Sequence, residues 1–206
     1  NRTDLPPQVR SWFETRSQSH LKEIFLRAAR SSYDQLATEF LQKRGVSCFS
    51  ERNDDLLMWS HYGGRYRGFC LEFDTFSEPF QRIQQVRYVH TLPPLTITQI
   101  LVDKSFNPLP HLFCTKSKAW EYEHEWRGIH AKAGTEFGYP SSALTGIFFG
   151  PDIDQQTLEI ICLVVSGQND SVKFWKGQRS STEFRVLFEP FTYTSHLEAK
   201  RLGLLK

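Results

Sequence analysis

The sequence predicts a mixed α/β (α+β) fold, with a mixed β-sheet of about six strands flanked by helices and preceded by a helical N-terminal segment. Three observations predict it. Residues 11–43 contain no Gly or Pro and repeat apolar positions at three- and four-residue spacing, as an amphipathic helix does. Several short downstream segments are apolar or alternate apolar and polar residues between turn signals, as strands do. The two patterns then interleave irregularly with no repeated unit, which favours a mixed sheet over a strictly doubly wound one.

Taken in order, each element follows from periodicity and punctuation. Leu21, Ile24, Phe25 and Ala28, then Leu36 and Phe40, recur on one helical face, in one long helix or two, and Gly45 closes the segment. Val46 to Ser50 reads as a short buried strand. Asn53 or Asp54 can cap a helix carrying Leu56, Leu57, Met58, Trp59, His61 and Tyr62, which Gly63 and Gly64 terminate. Tyr66 to Asp74 is a strand with Phe69, Leu71 and Phe73 on one face and Gly68, Cys70, Glu72 and Asp74 on the other. Val86 to Val89 is another strand, and Thr96 to Lys104 reads as helix until Pro108 and Pro110 interrupt. A short helix is expected over 111–119 and a strand over Glu123 to Ala131. Leu144 to Phe149 is a strand ending at Gly150-Pro151. The helix over 154–165 follows, with an apolar face from Ile153, Leu158, Ile161, Cys162 and Val165. Val172 to Trp175 and Glu183 to Phe188 complete the strands.

A chain of 206 residues suits a single domain, residues 1–206, with a helical part over 1–45. Hydrophobic residues at 39% and charged residues at 23% describe a globular protein and exclude a disordered one. The formal net charge of +2 is spread without a basic stripe, so nucleic acid is a possible partner that composition does not single out. Cys48, Cys70, Cys114 and Cys162 lie far apart without zinc spacing, so no metal is expected and each reads as a free thiol in an apolar setting. No apolar run reaches the roughly 20 residues of a membrane span, and no signal peptide is visible, so a soluble, cytoplasmic protein without membrane association is expected.

The richest stretch runs from Lys116 to Arg127. Read as a strand from Glu121, it sets Glu121, Glu123, Glu125 and Arg127 on one face and Tyr122, His124 and Trp126 on the other. Like charges so placed call for compensating cations, for which Arg127 and Lys116 are the candidates, or for a task that uses a raised carboxylate pKa. One reading is a buried ion-pair network that locks the strand in place. The other is a carboxylate that stabilises developing positive charge, beside rings that stack on a planar ligand and a cation that holds an anionic group. The second stretch is Met58 to Gly64, where His61 and Tyr62 stand near a helix end. Neither a P-loop nor a GxGxxG turn is present, and no GxSxG elbow supports a serine nucleophile.

These residues resemble a widespread bacterial family of unknown function, DUF2971. The resemblance rests on Cys48-Phe49-Ser50-Glu51, on Leu57 to Gly63 with Gly68 to Asp74, on Val86 and Tyr88, and on Lys116, Trp120, Glu123, Glu125, Trp126 and Arg127. A looser likeness continues through Ile147, Gly150 and Pro151, so that 46–190 forms a family-like core and 191–206 a C-terminal tail. Members usually begin with a short aromatic strand and an Asn-Asp-Pro turn, of which Asn1 to Asp4 is at most a remnant, so an N-terminal part of the site is expected to be missing here. The resemblance implies that Trp59, His61, Tyr62, Lys116, Glu123, Glu125 and Arg127 act as one cluster.

The Glu123-x-Glu125 pair is also similar, more distantly, to the arrangement of mono-ADP-ribosyltransferases. That likeness implies NAD as cofactor, Glu125 as the catalytic carboxylate, Glu123 orienting the acceptor, Tyr62 stacking on nicotinamide and His61 holding the ribose. Trp59, Lys116, Trp120 and Arg127 complete the expected substrate-binding set. His61 departs from the pattern, since it reads as helical where those enzymes place the residue on a first strand. Two expectations stand side by side. One is an enzyme acting on an N-glycosidic bond in a toxin or phage-defence setting, with a macromolecular acceptor. The other is a non-catalytic module that binds a nucleotide, another small-molecule ligand or nucleic acid.

Overall fold

The computed structural model describes residues 6–36, 38, 42–94, 96, 99, 105 and 107–203. Their elements, in chain order, are α1 (Pro7–Glu14), α2 (Gln18–Leu36), β1 (Gly45–Ser50), α3 (Leu56–His61), β2 (Phe69–Phe73), β3 (Gln84–Gln85) and β4 (Arg87–Val89). There follow α4 (Pro108–Phe113), β5 (Thr115–Ser117), β6 (Glu125–His130), β7 (Leu144–Phe149), α5 (Gln155–Ser166), β8 (Lys173–Arg179), β9 (Val186–Phe191) and α6 (His196–Arg201). This is a mixed α+β fold with helices flanking its sheets. The strands divide among three sheets, ordered β1-β6-β3, β2-β7-β8-β9 and β4-β5.

The chain forms two compact units, Asn1–Gly45 with His130–Gly134, and Val46–Ile129 with Thr135–Lys206. In the first, the expected helical stretch is two helices. α1 stops at Thr15, whose hydroxyl bonds back to the Ser11 carbonyl, and the Ser17 hydroxyl accepts the N–H of His20 at the start of α2. Phe13 stacks on Phe25 with ring centres 6.2 Å apart. The helix expected over Thr96 to Lys104 lies mostly outside the described residues.

The second unit is organised around β7, whose run Ile147-Phe148-Phe149 is buried on both faces. Ile147 and Phe149 join Phe174 of β8, Leu158 and Cys162 of α5, Ile153 and Val172 in one core. Phe148 points the other way, into a second core with Trp59 of α3 and Val186 of β9. β7 and β8 are parallel and joined by α5, the crossover that a parallel pair requires. Phe69 and Leu71 pair with Phe149 and Ile147, but they sit on the edge strand β2 and stay 45% and 38% exposed. Asn169 fastens the turn before β8 by using its whole amide. Its nitrogen donates to the carbonyls of Ser141 and Leu144, while its oxygen accepts from the Ser171 N–H and hydroxyl.

Three local expectations are corrected. The cap of α3 is Asp55, whose carboxylate accepts the N–H groups of Leu57 and Met58, because Asp54 is engaged by Arg52 instead. The strand expected from Tyr66 begins only at Phe69. Gly64, Arg65 and Tyr66 all have positive φ, 57°, 55° and 68°, so the chain turns left-handed before it extends. Such a conformation costs a non-glycine residue about 1–3 kcal/mol, so surrounding contacts must hold it. Gly63 lets the turn close: a Cβ there would lie 2.4 Å from the Trp59 ring. Finally, the stretch expected as helix over 111–119 is the end of α4 and then β5. The two prolines at 108 and 110 start α4 early, on the Asn107 cap, and it ends by Cys114.

Candidate functional site

The segment Lys116 to Arg127 is not one strand. After β5, Ser117 caps a 3-10 turn over Lys118–Glu123, and His124 then takes a left-handed conformation with φ 44° before β6 begins at Glu125. His is one of the few residues that enter this region readily. Glu121, expected on the carboxylate face, is exposed and pairs with Lys118 on its own turn. Glu123 and Glu125 nevertheless converge, because the turn and the strand approach Lys116 from two directions.

The two carboxylates are the most buried charges among the described residues, at 2% and 4% exposure. Lys116 bonds Glu123 and also reaches Glu125 at 3.0 Å. Arg127 grips Glu125 with two nitrogens, at 2.7 and 3.0 Å, and donates a third bond to the Phe113 carbonyl. The Tyr62 hydroxyl donates to Glu123 at 2.9 Å. Two cations thus face two carboxylates, which is the compensation that the sequence called for. The neighbouring strands aim these groups. β4 and β5 align Tyr88 with Lys116, and β3 and β6 align Gln84 with Arg127.

Electrostatics follow from this pairing. Burial alone would raise the Glu125 pKa, but hydrogen bonds from Arg127, Cys48 and Lys116 overcome it and hold the group down at about 2. The network therefore contains no raised Glu125 suited to act as an acid. For Lys116, burial opposes the charge, yet the bonds to Glu123 and Glu125 outweigh it and leave the pKa above the ordinary lysine value. Tyr62 is shifted upward, first by its bond to Glu123 and then by burial. Burial and the Glu125 carboxylate push the Cys48 thiol up to about 11, which makes it a poor nucleophile.

Above the network lies a rim of exposed rings. Tyr62 is 63% and Trp120 40% exposed, and the Lys116 ammonium stands 4.9 Å from the centre of the Trp120 ring. Tyr122 lies beside Trp120, with ring centres 6.0 Å apart. The structure thus brings together Tyr62, Lys116, Trp120, Glu123, Glu125 and Arg127. Trp59 is elsewhere, buried in the core with its indole N–H on the Asn53 carbonyl. His61 is exposed, and its ring centre is 6.2 Å from that of Tyr62. Its side chain makes no hydrogen bond or ion pair among the described residues.

Some supporting groups were not singled out as site residues. The Tyr88 hydroxyl accepts the backbone N–H of Glu125 at 2.8 Å, and the Ser50 hydroxyl donates to the Glu123 carbonyl at 2.7 Å. Both belong to motifs quoted for the family resemblance, which was the only signal for them. The expected strand face pointed to Glu121 in their place. A separate cavity of about 220 Å³ is lined by Leu56 and the β8–β9 hairpin and contains none of these residues. Among the described residues no helix is long and apolar enough to cross a membrane, and no three His, Cys, Asp or Glu side chains gather as metal ligands would.

Fold and site together define an α+β protein with a buried, charge-balanced network beneath an aromatic rim. Residues 58–128 match the model of the family described as Protein of unknown function (DUF2971). That stretch contains Tyr62, Tyr88, Lys116, Trp120, Tyr122, Glu123, Glu125 and Arg127. No curated protein and no solved structure matches the chain.

Proposed function

We propose that the protein is a binding module for a nucleotide or a nucleic-acid strand, with Tyr62, Trp120 and Tyr122 stacking on the planar bases and Lys116 at the centre of the rim. The observation that carries this reading is the contrast in exposure: the Tyr62 and Trp120 rings face solvent with Tyr122 half-buried beside them, while both carboxylates are buried and bonded. Aromatic faces stack on any base and are worth about 1–3 kcal/mol each, so a few of them make a usable surface. Glu123 and Glu125 fix the Lys116 ammonium and the Tyr62 hydroxyl in place.

NAD-dependent ADP-ribosyl transfer is the second reading, and it draws on the Tyr62–Glu123 bond at the rim. It requires Glu125 to exchange Arg127 and Lys116 for a ribose. Titrating Trp fluorescence with AMP, NAD and a single-stranded dT oligonucleotide tests the first reading: saturable quenching that Trp120→Ala abolishes supports it, and no quenching by any of them removes it. Nicotinamide release from NAD in the presence of a cell lysate, lost in Glu125→Gln while that variant stays folded, would establish the transferase in its place.

A further inference from the structure

The left-handed turn after α3 presents charges that the network does not use. Gly64, Arg65 and Tyr66 are held in their positive-φ conformation from several sides. The Tyr66 N–H donates to the Trp59 carbonyl, its hydroxyl to the Leu56 carbonyl, and its own carbonyl accepts the N–H of Asp152. Gly68 donates to the Gly63 carbonyl and accepts from Gly150. Gly150 approaches so closely that a Cβ there would lie 2.2 Å from the Tyr66 oxygen. A backbone bonded at so many points is largely ordered before anything binds, which lowers the cost of binding.

The groups around it are cationic, two of them exposed and one, Lys176, half-buried. Arg65 and Arg67 are exposed and make no ion pair or side-chain hydrogen bond among the described residues. The N–H groups of Gly64 and Arg65 donate to no backbone carbonyl there. Lys176 comes up from β8 with its ammonium 3.5 Å from the Gly150 carbonyl; it forms no ion pair among the described residues, and the Asp152 carboxylate interacts with both Lys176 and Arg67 only through space. One ion pair borders them. Arg179 holds Asp152 through its two terminal guanidinium nitrogens and lies 4.5 Å from the Tyr66 ring centre. The other nearby carboxylate, Asp154, is taken up by the N–H and hydroxyl of Thr157. The cluster stands at the carboxyl ends of the parallel strands β7 and β8, where open sheets commonly receive ligands.

We propose that the Gly63–Gly68 turn, with Arg65, Arg67 and Lys176, is a binding site for a phosphate group. Rigid backbone N–H donors together with unpaired guanidinium and ammonium groups match a phosphate in charge and in hydrogen-bond sense. Base stacking at Trp120 is not needed for it, so the two sites are tested separately.

Two probes distinguish the source of the phosphate: tripolyphosphate, which has no base, and a single-stranded dT oligonucleotide, whose phosphates are diesters. Binding of the full chain is measured by calorimetry and by anisotropy at several salt concentrations. Arg67→Gln and Lys176→Gln are each expected to weaken binding about tenfold. In the oligonucleotide arm, each should also reduce the salt slope by about 0.7. Tripolyphosphate binding points to a nucleotide's phosphate end, and oligonucleotide binding alone points to a backbone. The proposal is overturned if neither probe binds. It is overturned equally if both variants bind as wild type, or if Arg201→Gln on α6 weakens binding as much as they do. Arg67 makes no ion pair or side-chain hydrogen bond among the described residues, and a thermal melt of its variant verifies that the fold is kept.

Discussion

The Lys116 network and the Gly63–Gly68 turn are both rich in charge, and they treat it in opposite ways. In the network every charge has a partner, and the carboxylates are out of water. At the turn the backbone is fixed while the cations are left open. The difference separates two uses of charge. Paired and buried, it locks elements together, and removing one member leaves another stranded. Unpaired and exposed, it contributes little to stability and is available to a ligand.

The largest effect that would test this contrast is expected from Glu125→Gln. It strips the charge from the group that Arg127 and Lys116 share and should cost about 3–5 kcal/mol in urea unfolding. A loss below about 0.5 kcal/mol, the range of ordinary surface changes, would break the comparison. Acid should act on the same group. Its pKa is depressed in the folded protein, so its contribution is fully present above the ordinary 4.5 and is lost as pH falls through about 2. The amount is about 3 kcal/mol, and wild type should show it between those values while Glu125→Gln should not. Tyr88→Phe removes the acceptor for the Glu125 N–H and should cost about 1–2 kcal/mol, with binding at the rim retained. Arg67→Gln should change the unfolding free energy by no more than about 0.5 kcal/mol. A larger loss would mean that the turn's cations have a structural role after all.

Much of this was legible in the sequence, for reasons that differ by element. The strand Leu144 to Phe149 and the following helix announce themselves, since an apolar run closed by Gly-Pro and a strong three-and-four periodicity leave few alternatives. The convergence of Lys116, Glu123, Glu125 and Arg127 was legible as charges in need of partners. Its geometry was not. Period-two reasoning assumes a continuous strand, and the left-handed His124 breaks it, leaving Glu121 in solvent. The family resemblance groups Trp59 with His61 and Tyr62 as site residues. A helix separates adjacent side chains by about 100° of rotation, however, and the indole turns into the core. The turn at Arg65 and Tyr66 was invisible because nothing local demands positive φ from those residues. Contacts with Trp59, Leu56 and Asp152, remote or out of register, impose it.

Asn169 distinguishes an amide from an acid of nearly the same shape. Its nitrogen faces two carbonyl oxygens, at 2.7 and 2.8 Å, so hydrolysis of that one side chain to Asp would set oxygen against oxygen on both. Chemical ageing at this single atom would therefore release the entry to β8, so the durability of the sheet is tied to one side-chain amide on a residue that is 8% exposed.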